Sequence, residues 1–398
     1  MAGNRLDRIN APNFFRFFSD RVMPVTSRLR QPCVLFGLLL LIAFGSASAA
    51  PANDSHAAGN PVTPPLSSSD YLANPEVRLF LKQIADEKKI PLEWLENEVA
   101  VARYSPLTEK YSTPKPHTDH KTSPEKNFRL YKRNLVNEER IGAGVRFLTD
   151  NAEAFRRVEE ETGVSRYAVA AIIGVETIYG KNMGRFRVLD ALMTLSFDYT
   201  RRAKYYRREL ASFLDFCWQQ QTSPIAVKGS FAGAIGLGQF MPSSLEAYAR
   251  DGDGDGHIDI VNNPADGIAS VANFLKIHGW VRGKDPLYSV NASEAIFKAT
   301  RSGGINPHLS VAELKKAGVT GLEKHDLSDE TSVLLVDLPM TEPDTHKKIT
   351  QWYVGNANFA AILRYNRSYF YAAAVSMLAE AIREREAQLK RSDSRQKA

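Results

Sequence analysis

The stretch that decides the fold is "TGVSRYAVAAIIGVETIYGKN", residues 162–182. Ser165 is a good N-cap residue. Ala168, Val169, Ile172, Ile173 and Ile178 supply an apolar helix, and Gly180 is a stop signal. One carboxylate, Glu176, falls in the last turn. Ile172 and Ile173 precede it by four and three residues and share its side of the helix. Apolar surroundings disfavour the ionised form. The carbonyl end of a helix also carries partial negative charge, which works in the same direction. A carboxylic acid kept neutral near pH 7 is what a general acid requires. On this helix alone, a glutamate facing solvent or held by an arginine remains an open alternative.

Beyond the helix lies "GSFAGAIGLGQFMPSS", residues 229–244. Gly229, Gly233, Gly236 and Gly238 permit close backbone approach and positive φ. No Lys-Ser or Lys-Thr follows, so this is not a phosphate loop. Gln239 is a neutral two-way hydrogen-bonder in an apolar setting, which suits a cleft; a tight helix crossing is the competing reading. "YTRRAKYYRREL" (199–210) and "RYNRSYFYAAA" (364–374) mix flat rings with hydrogen-bonders, as sugars require. Composition alone does not separate that from an ordinary helix surface.

The segment "DGDGDGHIDIVNNPAD", 251–266, opens like an EF-hand. Asp251, Asp253 and Asp255 stand at positions one, three and five, Gly256 at six, and His257 at seven would offer its backbone carbonyl. Adjacent carboxylates aimed at one point are costly without a cation, and an all-oxygen set favours calcium in a structural role. The departure is Asn262 at position twelve, where a bidentate Glu is usual. Asp259 could ligate through water.

The flanks give the organisation. Residues 1–50 read as a secretory signal peptide: Arg28 and Arg30, an apolar run from Val34 to Phe44, then Ala47-Ser48-Ala49 as a cleavage site. The run is too short to span a bilayer. Met23 is a second candidate start, and Cys33 does not sit at a cleavage site, so no lipoprotein signal is expected. Removing this leader takes six Arg and two Asp, and the formal charge falls from +6 to about +2, which argues against a nucleic-acid protein. It also leaves Cys217 as the lone cysteine and rules out an internal disulfide. Residues 51–73 form a Pro- and Ser-rich linker, and 104–126, with His117 and His120, read as a solvated loop. A helical body with the acidic loop is expected over 74–283 and a small α+β unit with antiparallel strands over 284–357. In that unit "TSVLLVDLP" ends at Pro339. A helix over 358–398 returns to the body, its charged tail fraying after Arg385.

Taken together, "GVETIYG", "GSFAGAIGLGQFMPSS", "DGDGDGHID" and "RYN" resemble the B-type lytic transglycosylases, in the same order and over about 75 to 385. The resemblance implies an α+β, predominantly helical fold: a lysozyme-like catalytic core, a helical domain and a small antiparallel β domain. It implies Glu176 as the single catalytic acid. Ser230, Gln239 and Phe240 match residues that hold the glycan. Tyr131 in "FRLYKRN", Tyr365, Asn366 and Tyr371 match cleft residues, and Arg201 and Arg202 match an arginine pair near the peptide and sugar sites. The family's acidic loop is longer, so Asp266 would complete the calcium site. Phe274 stands where a tyrosine is expected, which puts one hydrogen bond in doubt.

The implied substrate is peptidoglycan, cut between N-acetylmuramic acid and N-acetylglucosamine with a 1,6-anhydro product. A periplasmic, soluble and monomeric protein is expected, binding glycan strands, with proteins of wall synthesis or remodelling as candidate partners. Two other readings stay open: a muramidase that adds water, and a non-catalytic calcium-dependent wall-binding protein.

Overall fold

The computed structural model describes residues 70–114 and 126–396. The signal peptide, most of the linker, Met23, Cys33, and the histidines at 117 and 120 lie outside the described residues.

Helix boundaries follow local chemistry. Asn74 caps Pro75–Lys88 by accepting from the Glu76 N–H, and Pro91 precedes Leu92–Ala100. The loop expected from 104 instead begins with a helix, Pro106–Ser112. Ser105 accepts from the Thr108 N–H, and Pro106 occupies the first turn, where its missing donor costs nothing. On this helix Thr108 is fully buried, and Tyr111 packs edge-on against Phe186 and Phe231, with centroids 6.2 and 5.6 Å away.

The main body is built by Phe128–Leu135, Glu138–Asp150, Ala152–Thr162, Arg166–Thr177, Ala203–Gln219 and Pro264–Ile277. Arg166–Thr177 runs through its centre. Val169, Ile172 and Ile173 are fully buried, each contributing about 1.5–3 kcal/mol. A π-helical stretch, Thr194–Asp198, precedes the helix Ala203–Gln219. The chain returns through Ala357–Tyr365 and Tyr369–Gln396. The second does not fray at Arg385. Beyond it, Glu386 accepts from Arg166 and Tyr167, each at 2.8 Å, and Arg385 pairs with Glu138.

Among the described residues, two antiparallel sheets complete the fold. Strand β1 (Phe186–Arg187) pairs with β2 (Lys228–Gly229). The larger sheet holds β3 (Leu287–Val290), β4 (Leu309–Ser310), β5 (Ser332–Thr341) and β6 (Lys348–Gly355), in the order β3-β6-β5-β4. Strand β5 does not stop at Pro339. It continues to Thr341, with Pro339 opposite Thr350. Its alternating side chains divide two cores. Leu334, Val336 and Leu338 join the helical body. Val333 and Leu335 join a smaller cluster with Val311, Leu314 and Val354.

Candidate active site

The helix carrying Glu176 starts without the expected cap. Ser165 is extended and its side chain makes no cap bond; the Arg166 N–H goes to the Glu159 carboxylate at 3.1 Å instead. The helix ends at Thr177. Ile178 and Tyr179 then take left-handed φ of 53° and 56°, and Gly180 follows at 88°. For a β-branched residue such as Ile178 this conformation is strained, and it lies two residues from the acid. The turn swings Tyr179 back over its own helix, where its hydroxyl donates to the Arg140 carbonyl at 3.1 Å. A Cβ on Gly174 would stand 2.4 Å from that hydroxyl, so only glycine fits. Arg140, itself buried, donates to the Gly174 carbonyl at 3.1 Å and supplies positive charge where the helix end is negative.

Glu176 is half-buried. The Tyr371 hydroxyl, from the first turn of Tyr369–Gln396, donates to its carboxylate at 2.6 Å. Burial pushes the carboxyl up to about 7, and the Tyr371 bond pulls the other way. Desolvation is the larger of these two effects, so the carboxyl stays above its ordinary value despite the phenol. Tyr131, Tyr365 and Tyr371 gather around the same group. Each phenol is pushed up first by burial and then by the charge of Glu176, Tyr131 to about 12. All three are neutral donors at physiological pH. Tyr131 is wedged against Phe370, 5.7 Å between centroids.

The glycine segment is fastened to this helix end. The Thr177 hydroxyl lies 3.0 Å from the Leu237 carbonyl and accepts from the Gly180 N–H. The Tyr365 hydroxyl donates to the Gly238 carbonyl. Residues 237–238 are thus held between Glu176's helix and one of its tyrosines. Gln239 follows in a left-handed conformation, φ 50°, and its amide NH₂ reaches the carbonyls of Met183 and Gly236 at 3.2 and 3.0 Å. Gly236 has φ 72°, and a Cβ there would meet the Ile260 carbonyl at 2.5 Å.

Ser230 and Phe240 are buried beneath this turn. The Ser230 Oγ accepts from the N–H groups of Ala232 and Ala234. Phe240 packs on Tyr365 and Phe274 at 5.5 and 6.2 Å. Phe274, the phenylalanine in place of a tyrosine, stacks on His278 at 4.1 Å. Asn366 sits half-buried in the link between the two last helices, its carbonyl accepting from the Ser368 N–H at 2.7 Å. Arg201 and Arg202 occupy the exposed turn before Ala203–Gln219, where Arg202 covers the Tyr205 ring at 4.3 Å. Thr177, Tyr179, Gly174 and Arg140 were not singled out by sequence reasoning. Thr177, a polar residue in an apolar helix, carried a readable signal; the partners of the other three are set by packing alone.

In the acidic loop, carboxylate oxygens of Asp251, Asp253 and Asp255 lie within 4.8 Å of one another. Asp251 accepts from the N–H groups of Gly254 and Gly256, and Asp255 from that of His257. Asp266 is almost fully buried, and its two oxygens accept from the N–H groups of Gly252 and Asp259, each at 2.7 Å. It stitches the two ends of the loop together. Burial pushes its carboxyl up, and the charges of Asp253 and Asp251 add to that. Asp259 caps the following turn through the N–H groups of Val261 and Asn262. Elsewhere, a cavity of about 480 Å³ lined by Ser165, Trp280, Tyr288 and Arg383 contains none of the groups around Glu176.

Comparison with known proteins identifies relatives over most of the chain. Residues 73–380 match the family model described as a transglycosylase SLT domain. The chain is 34% identical over 316 residues to the membrane-bound lytic murein transglycosylase B of Escherichia coli K12, covering 79% of this chain and 84% of that one. Among solved structures it resembles a soluble lytic transglycosylase from Pseudomonas aeruginosa, with 36% identity, TM-score 0.70, and 79% and 100% of the two chains covered. It also resembles an Escherichia coli lytic transglycosylase solved in complex with calcium, with 32% identity, TM-score 0.68, and 80% and 96% covered.

Proposed function

The chain belongs to the B-type lytic transglycosylase family, and from that premise we propose that Glu176 alone gives and reclaims the proton in its reaction. The enzyme is a lytic murein transglycosylase with a lysozyme-like core and acts on peptidoglycan. The observation that carries the role of Glu176 is its environment: a half-buried carboxyl, pushed up to about 7, with a neutral phenol donating to it at 2.6 Å.

Most glycosidases divide this labour between two carboxylates. Here protonated Glu176 donates to the oxygen linking N-acetylmuramic acid to N-acetylglucosamine, and the bond from the anomeric carbon to that oxygen breaks. The muramyl acetamido carbonyl offsets the positive charge at the anomeric carbon. Glu176, now a carboxylate steadied by Tyr371, takes the C6 hydroxyl proton as that oxygen attacks the anomeric carbon. The 1,6-anhydro ring closes, the acid is restored, and no water is consumed. Intramolecular attack carries a large advantage over attack by water. Tyr131, Tyr365, Gln239 and Asn366 bind the sugars, Ser230 and Phe240 shape the floor under Gln239, and Arg201 and Arg202 meet the stem peptides.

The acidic loop fits calcium. Three clustered carboxylates, joined electrostatically by a buried fourth, form an all-oxygen set whose mutual repulsion a divalent cation relieves. Asp251, Asp253, Asp255, Asp266 and the His257 carbonyl would hold it, and its contribution is to the stability of the loop. Residues 1–50 make the protein an exported, periplasmic one. Among the described residues no helix is long and apolar enough to cross a membrane.

The test is digestion of purified sacculi. Wild type should release products ending in anhydromuramic acid, one water lighter than reducing ends, and Glu176→Gln should release none while remaining folded. Reducing ends from wild type would make the enzyme a muramidase, and near-normal release by the variant would remove Glu176 from its role.

A further inference from the structure

A second cavity, of about 560 Å³, opens between the helix Leu92–Ala100 and the end of the helix Ala203–Gln219. Two indoles meet in it. Trp94 and Trp218 lie 5.2 Å apart at 63°, an edge-to-face corner, and Trp218 is 37% exposed. The buried Cys217 closes the wall beneath them. Around the indoles stand hydrogen-bonding groups: Glu98, Gln221, Thr222 and Ser223. The Ser223 hydroxyl reaches the Glu98 carboxylate at 3.3 Å.

The rim is preorganised. Gln221 holds a left-handed conformation, φ 51°, fixed by its N–H to the Trp218 carbonyl, while the Thr222 N–H goes to the Cys217 carbonyl at 2.9 Å. Non-glycine residues in this conformation persist where surroundings impose them, and they concentrate at functional positions. The neighbouring Gln220 side chain accepts from the Ile258 N–H of the acidic loop at 2.8 Å, which braces the wall from behind.

We infer that this cavity is a second saccharide site, separate from the Glu176 cleft, that takes a neutral N-acetylhexosamine ring of a glycan strand. A pyranose presents apolar C–H groups on its faces and hydroxyl and acetamido groups on its edge. An indole corner ringed by a carboxylate, an amide and two hydroxyls matches both, which a purely apolar ligand would not. Glu98 accepts hydroxyl or amide hydrogens and repels carboxylates, so it selects against lactyl groups and stem peptides. The inference rests on the reading of the chain as a peptidoglycan enzyme. Its substrate is an insoluble polymer, so a second grip on the same strand raises the effective concentration of the cleavable bond without altering the chemistry.

The experiment uses the full exported chain in two forms. In the Glu176→Gln background, which binds without turnover, adding Trp218→Ala should weaken co-sedimentation with sacculi about tenfold, a modest loss for a bivalent attachment. Chitotetraose should quench tryptophan fluorescence less in that variant than in its parent. In the otherwise wild-type enzyme, Trp218→Ala should leave turnover of a short soluble muropeptide unchanged while slowing sacculus digestion. Gln221→Ala and Glu98→Gln, which keep the indoles, should reproduce the retention loss and decide the matter if Trp218→Ala fails to fold. Unchanged retention in all folded variants overturns the inference, as does a parallel fall on soluble and insoluble substrates. Residual turnover by Glu176→Gln would count against the catalytic assignment alone, since sacculus retention is read independently.

Discussion

Tyr371 donates its hydroxyl hydrogen to the Glu176 carboxylate at 2.6 Å across 195 residues of sequence. The bond opposes the burial that holds the carboxyl near 7. The acid is therefore balanced between two effects: desolvation keeps it protonated for the first step, and the phenol stabilises the anion that must wait for the second. Disturbing either side gives a distinct signature.

Tyr371→Phe removes the donor and leaves the apolar ring. The Glu176 carboxyl should move further up, because the one influence lowering it is gone. The alkaline limb of the pH–rate profile should shift to higher pH, and the maximal rate should fall about tenfold or more, the size of a hydrogen bond to a charged group. A profile that superimposes on wild type would show that the phenol does not act on the acid.

Glu176→Gln should change stability in a pH-dependent way. The folded carboxyl titrates near 7 and the unfolded one at 4.5, so folding takes up a proton between these values. The group's favourable contribution is complete below pH 4.5 and is lost as pH rises through 7. The neutral amide escapes that loss. The variant should match wild type near pH 4 and exceed it at pH 8, by about 3 kcal/mol at most. Urea unfolding at the two pH values measures this, and equal curves at pH 8 would mean the carboxyl is not perturbed.

Thr177→Val keeps the shape of a fully buried side chain but deletes its hydroxyl. The Leu237 carbonyl and the Gly180 N–H lose that partner. Stability should fall by about 1–3 kcal/mol, and turnover should fall more steeply than stability predicts, because Gln239 sits on the released turn. Retained kinetics in a destabilised variant would separate the clamp from function.

Calcium should raise the unfolding temperature, and a chelator should reverse the shift. At a hundredfold excess over its dissociation constant the ion contributes about 2.7 kcal/mol. Asp253→Asn should abolish the calcium-dependent shift and leave the calcium-free transition nearly unmoved. A wild-type melt indifferent to both calcium and chelator would leave the loop without an ion.

Much of this molecule is set by short-range pattern. The apolar run Val169–Ile173 made a central helix, and with Gly180 as its stop signal it placed Glu176 in the last turn. The alternate spacing of Asp251, Asp253 and Asp255 brought three carboxylates together because a tight turn needs little else. Gly233 and Gly236 carried the positive φ that their lack of a side chain allows. These features depend on neighbours within a few residues, where periodicity and backbone sterics govern.

Other features required the packed chain. Strand β5 passed Pro339 because pairing on β6 outweighed one missing donor. The last helix ran beyond Arg385 because Glu386 found Arg166 and Tyr167. Ser165 lost its capping role to Glu159. Ser230 and Phe240 turned inward, and Tyr131, Tyr365 and Tyr371 converged on one carboxyl from three separate helices or helix ends. Sequence alone determined that a glutamate would lie among apolar residues at a helix end. Only tertiary packing decided that a phenol would face it, because desolvation and hydrogen-bond direction belong to the assembled surroundings of a group.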